Sequence, residues 1–359
     1  MMEVSALASS LESFASNIQK GFVCEDEDIT SLPDNLFKDN SVSLVSRRAG
    51  NMAGTILPEG VTFVDFSKTK ITDMEVSRTS GPFNGIPDNV FIYLPAGNTV
   101  ADNTPNVVIG GVCDDMELDG SEDAEPFKVK NDFEAGQVML KRKFTLVDDA
   151  DARATIYLPC DVSMEEANEL GTFYKFVKFD GSTVEMETVT DGGLKANTPY
   201  IFQPKADSYI FEKDEDEEGN LIDQYPVVTL TNVKANPEET EGFKGVFERK
   251  DYESNMYCYA GENRGGYTIG QFVEMGPGSY VPPFRAYFVG NGSGAPKYSI
   301  AWDGVIETAD ENVTAVEAVK TVAEKKVADG WWTLNGVRMN SKPTKAGMYI
   351  MNGKLVVVK

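Results

Sequence analysis

RATIYLP (153–159), FYKFVKF (173–179), STVEMETV (182–189) and PYIFQP (199–204) are the stretches on which the fold turns. Each is a short run of β-branched and aromatic residues, and the links between them, FDGS (179–182) and TDGG (190–193) among them, are built from turn formers. The same texture continues outward in both directions. It is seen in VMLKRKFTLV (138–147), SYIFE (208–212), PVVTLTNV (226–233), GVFERK (245–250), NMYCYA (255–260), FRAYFVG (284–290) and YSIAW (298–302). Strands at this spacing predict a sandwich or barrel of antiparallel strands, and we place one β-sandwich-like domain at 116–305. Phe173, Lys175, Val177 and Phe179 alternate with Tyr174, Phe176 and Lys178, so both faces of that strand carry aromatics, as in a strand half covered by a neighbour.

The helix signal is thin. Residues 1–24 are weakly helical in spacing, Ser163-Met164-Glu165-Glu166 reads as a short capped turn, and 313–328 reads as one helix within a 306–330 linker. Residues 25–115 differ again. ITSLPDNLF (29–37), TILPEGVTFVDFSKTKIT (55–72) and GIPDNVFIYLPAGN (85–98) repeat short strand-like pieces with Leu-Pro and Ile-Pro turns. Each is too small to bury a face alone, as at the end of a stacked repeat. The fold class expected is therefore mainly β: a residual leucine-rich-repeat-like cap, a β-sandwich-like central domain and a small C-terminal hairpin unit.

That last unit, WWTLNGVRMNSKPTKAGMYIMNGKLVVVK (331–359), has five Lys and Arg and no acid. Asn335-Gly336 and Asn352-Gly353 each sit between apolar runs, the strong local signal for tight hairpins. The chain of 359 residues totals −24, so the part before this +5 tail carries −29.

Composition removes whole classes of function. With no histidine, Ser-His-Asp and Cys-His nucleophile systems and His-ligated zinc are excluded. The acid excess, 57 Asp and Glu against 33 Lys and Arg, argues against nucleic acid as a partner. No apolar run reaches the ~20 residues of a membrane helix, so the chain is expected not to span a membrane. The N-terminus, MMEVSALASSLESFASN, lacks the basic start and dense apolar centre of a secretory leader. Cys24, Cys113, Cys160 and Cys258 include no CxxC pair. Cys160 in IYLPC and Cys258 in MYCYA read as small buried thiols, with one or two disulfides as the alternative in an exported protein.

No catalytic, cofactor-binding or metal-ligating residue is assigned from the sequence, although several clusters carry candidate chemistry. In KDEDEEGNLIDQ (213–224), Asp214, Asp216, Glu218, Gly219 and Leu221 fall near positions of a calcium loop, but Tyr225 stands where the bidentate Glu belongs. An acidic hairpin loop that keeps a sheet edge soluble is the simpler reading. Glu185 and Glu187 share a strand face and are the pair to consider for two-carboxylate hydrolysis, against a plain solvated face. GENRGGYTIG (261–270) and VGNGSGAPK (289–297) fit no phosphate-binding pattern and read as loops, and Ser293 is not in a nucleophile elbow. Tyr252, Tyr257, Tyr259 and Tyr267 near Arg264, with Trp302, Trp331 and Trp332, are candidates for stacking on sugars, against burial as core aromatics.

Three stretches together resemble the BspA-like leucine-rich-repeat surface proteins of Bacteroidetes-type bacteria. GVTFVDFSKTKIT with GPFNGIPDNVFIYLPAGN is similar to the last turn of such an array. ATIYLPCDVS, LKANTPYIFQP and PPFRAYF are similar to the β domain that follows it. The tail resembles the KPxxxGxYIxNGKxVxxK ends of the exported members. The resemblance implies export, a secreted or cell-surface location as the end of a longer product, and adhesion or host and glycan contact without catalysis. The expected partner is a surface glycan or protein, and no cofactor is expected. The alternative is a carbohydrate-binding module or a two-carboxylate glycoside hydrolase.

Overall fold

The computed structural model describes residues 21–38, 57, 60–142, 153–204, 228–235, 242–261 and 269–306, and the strand backbones of 331–358. The chain divides into two compact units, Met1–Ala309 and Asp310–Lys359. It is mainly β, as the sequence predicts.

In chain order the first unit begins with β1 (Gly21–Val23), β2 (Phe63–Asp65), β3 (Glu75–Val76), β4 (Phe91–Leu94), β5 (Thr99–Val100), β6 (Val107–Ile109), β7 (Val112–Asp119), β8 (Phe133–Lys141) and β9 (Ala154–Tyr157). Helix α1 (Met164–Leu170) follows, then β10 (Gly171–Phe179), β11 (Thr183–Thr188), β12 (Pro199–Pro204), β13 (Val228–Val233), β14 (Phe243–Val246) and β15 (Lys250–Asp251). The unit closes with β16 (Met256–Tyr259), β17 (Gln271–Glu274), β18 (Tyr280–Val281), β19 (Arg285–Val289), β20 (Lys297–Trp302) and β21 (Val305–Ile306).

β1, β2, β4 and β6 form a parallel ladder, Phe63 opposite Phe91 and Ile92 opposite Val107. β3 and β5 form a second parallel ladder on the same coils. Each coil is too short to bury a face alone, so the stack closes over Phe22, Phe37, Phe66 and Phe83, which are fully buried and meet edge-on, tilted or stacked at 5.6–6.2 Å. Polar stitching completes it. Buried Arg78 donates to the carbonyls of Ile86, Pro87, Val90 and Pro105, and Asn106 donates to Asp88 and Glu117. Turn carbonyls that stacking removes from water thus keep partners.

The ladder runs on without a break into β7, β8 and β13 as one seven-stranded sheet. β7 crosses position 115, and one core takes Phe91, Cys113 and Met116 from one side of that position and from just beyond it, together with Ile156, Phe173 and Phe202. The body at 116–305, expected as sandwich-like, is built on a ten-stranded sheet ordered β14-β19-β16-β17-β20-β11-β10-β12-β9 with β21 beside β20. It curls into a near-barrel. Across the gap Tyr157 N–H donates to Phe284 O at 3.1 Å and Ala286 N–H to Thr155 Oγ1 at 3.0 Å. Tyr174, Met186, Phe243, Phe272, Phe288 and Trp302 belong to its interior cluster. All neighbours along the path are antiparallel except β11 and β20, which run parallel.

The second unit is a four-stranded antiparallel sheet of β22 (Trp331–Thr333), β23 (Arg338–Met339), β24 (Gly347–Met351) and β25 (Lys354–Val358), ordered β23-β22-β24-β25. β24 and β25 flank Asn352-Gly353, the hairpin signal read from sequence. The segments read as helical, 1–24 in its first 20 residues and 313–328, lie outside the described residues.

Candidate functional site

The capped turn read at Ser163–Glu166 is the start of α1, and it borders a cleft. Ser163 Oγ accepts from Glu166 N–H at 3.2 Å while Glu166 Oε2 accepts from Ser163 N–H at 3.2 Å, a complete capping box. Ala167 and Leu170 turn inward and fix the helix on the core. The chain then enters β10 at Gly171, where any Cβ would lie 2.2 Å from Gln203 O, so only glycine lets β10 and β12 come this close. Opposite, Val162 and Leu194 bridge through N–H···O bonds of 3.0 and 2.8 Å.

Between α1, the start of β10 and the end of β11 lies a cleft of about 240 Å³. Asn168, Thr172, Thr188 and Thr190 are its polar lining residues, and the buried Phe173 and Val189 close its apolar floor. Phe173 is fixed by stacking on Phe202 with centroids 4.4 Å apart. Thr188 is fixed from behind, where its N–H and Oγ1 donate to Asp303 at 2.8 and 2.7 Å. The sequence singled out none of these as a site. The capping box was the available signal, since it places a helix against the next strand, but it does not say that a gap remains between them.

The residues that the sequence did single out are placed elsewhere. Glu185 and Glu187 lie on β11 and pair across to β10, with Lys178 at 3.0 Å and Lys175 at 3.2 Å, a solvated face of cross-strand ion pairs. Tyr257 is wholly buried, its ring 4.6 Å from Tyr298 and its hydroxyl donating to Ala295 O at 2.7 Å. Trp302 is 6% exposed and carries the Arg153 guanidinium over its ring at 4.3 Å, with Tyr174 at 5.3 Å from the same cation. Tyr252 is half-buried in a small cluster around Met256, and Tyr259 half-buried beside Phe272 and Trp302. These rings are spent on the interior. Tyr267, Arg264 and the acidic stretch with Asp214, Asp216 and Glu218 lie outside the described residues, as do the side chains of Trp331 and Trp332. Among the described residues no group of three or more His, Cys, Asp or Glu side chains is placed to hold a metal ion. In the Gly-rich run 289–297, Asn291 Oδ1 accepts from Ser293 N–H and Tyr298 Oη, which ties the loop to the barrel.

All four cysteines are free thiols. Burial pushes the Cys113 thiol up to about 12 and that of Cys160 higher still, so neither forms thiolate at neutral pH. Cys258, expected to be buried, is exposed. On β16 its neighbours Tyr257 and Tyr259 face inward, and strand alternation turns Cys258 out. Partial desolvation still raises its pKa.

No helix among the described residues is long and apolar enough to cross a membrane. Compared with family models, curated proteins and solved structures, the chain matches none.

Proposed function

We propose that this chain is a contact module of an exported, surface-located protein, engaging a glycan or protein partner without catalysing a reaction. The observation that supports the reading is the continuous sheet. Coils stacked in register, Gly21 on Phe63 and Phe63 on Phe91, pass through β6 into β7, β8 and β13, which share a core with the near-barrel strands. Stacked coils expose extended surfaces and serve recognition in many settings, since each unit contacts only its neighbours. The order of coil stack, β body and basic hairpin tail also follows the order of the three stretches that resemble the BspA-like proteins. The +5 tail suits an anchoring or sorting segment.

Two measurements test the reading. Antibodies against the chain should label intact cells of the native host; labelling only after lysis overturns it. Deleting residues 331–359 should reduce export, and export at the wild-type level removes the role given to the tail.

A further inference from the structure

In a chain with 57 acidic and 33 basic residues, none of the nine residues lining the cleft beside α1 carries a charge. We propose that this cleft binds a single uncharged sugar unit. The inference rests on the contact-module reading and gives it a site and a ligand class.

Size, donor chemistry and charge converge on that class. At about 240 Å³ the cleft lies below the ~300 Å³ at which pockets for drug-sized ligands begin, so it admits one ring and not a chain of them. The Thr172 and Thr190 hydroxyls each carry one donor and two acceptor lone pairs, Thr188 Oγ1 keeps only acceptor lone pairs because its proton goes to Asp303, and the Asn168 amide offers both kinds. A polyol needs such mixed partners, since every one of its hydroxyls both gives and takes. Phe173 and Val189, 2% and 8% exposed, close the floor of the cleft, while Asn168 and Thr190 are exposed at the rim. A purely apolar ligand would strip water from the hydroxyls and leave them unpaired. A charged ligand would shed its hydration without a counter-charge in the lining. An anion would also meet Asp303, whose carboxylate stands directly behind Thr188. The walls are already held: Phe173 by Phe202, Thr188 by Asp303 and α1 by its capping box. Little ordering is left for the ligand to impose.

The test is titration of the full chain by saturation-transfer NMR and calorimetry. The probes are neutral hexoses and N-acetylhexosamines set against the corresponding uronic acids and amino sugars. Neutral sugars should bind with a dissociation constant of about 1 mM, the scale for a ligand with few contacts. Asn168→Ala and Thr190→Val, both at exposed rim positions, should each weaken binding about fivefold to tenfold with the melting temperature unchanged. Preference for the charged sugars overturns the ligand class. Binding that both variants leave intact overturns the site. If no sugar binds up to 50-fold above ~1 mM while the chain still adheres to purified host proteins, this inference fails and the contact-module reading survives. If it adheres to neither, both fail.

Discussion

Gly192 and Gly193 are adjacent and both sit at positive φ, +67° and +65°, yet their surroundings separate them. A Cβ on Gly192 would meet nothing within 4 Å, whereas one on Gly193 would lie 2.2 Å from Val162 O, inside the Val162–Leu194 bridge. Gly192→Ala should therefore cost only the left-handed backbone term, ~1 kcal/mol, and Gly193→Ala ~3 kcal/mol or more. Urea denaturation of the two variants checks this, and equal losses would show that the Val162 contact does not matter. A second residue governs acid behaviour. The Asp180 carboxylate accepts N–H bonds from Ser182 and Thr183, which hold its pKa below the ordinary 3.8. A carboxylate depressed in the folded state adds stability that is fully present above its unfolded pKa and is lost as pH falls through the folded one. Asp180→Ala should thus lower the melting temperature at pH 7 and narrow its difference from wild type below pH ~3.8.

Among the elements, the coil stack depends on one buried cation. The Arg78 fork reaches Pro87 O at 2.6 Å, Pro105 O at 2.7 Å and Val90 O at 2.9 Å, with Asp88 at 3.5 Å. Burial lowers its pKa to about 10, which still leaves it charged at neutral pH. A lysine has one ammonium in place of a planar fork and cannot reach these carbonyls together. Arg78→Lys should cost about 3 kcal/mol through carbonyls left buried without donors. Loss should appear first as hydrogen exchange in β4 and β6, and a change under ~0.5 kcal/mol would remove Arg78 from this role.

At the level of the whole molecule, thiol reactivity reports on the packing of unit 1. Cys24, Cys113 and Cys160 are buried and Cys258 is exposed, so native chain should take up one equivalent of iodoacetamide at pH 8.5 and four in denaturant. Uptake should be slow at pH 7, because the Cys258 pKa is raised. Intact mass counts the adducts. Two or more in native buffer would mean that the core around Cys113 and Cys160 opens far more readily than its burial implies.

What is local can be read from residue order alone. Runs such as PYIFQP favour extended backbone through their branched and aromatic side chains, Ser163 and Glu166 cap a helix through atoms three residues apart, and Asn352-Gly353 turns a hairpin. The absence of histidine needed no structure at all. Alternation also fixes which residues share a face, but not which face is covered, because that depends on strands distant in the chain. This is why Tyr257 and Trp302, read as candidates for sugar contact, lie in the interior, and why Cys258 points outward. It is also why β11 takes β20 as its parallel neighbour across more than a hundred residues. The cleft belongs to the same category. Asn168, Thr172 and Thr190 are unremarkable in sequence, and only the docking of α1 against two strand ends leaves a space among them. Local sterics write the elements; long-range burial, which rewards covering one face and not the other, decides where those elements leave a cleft.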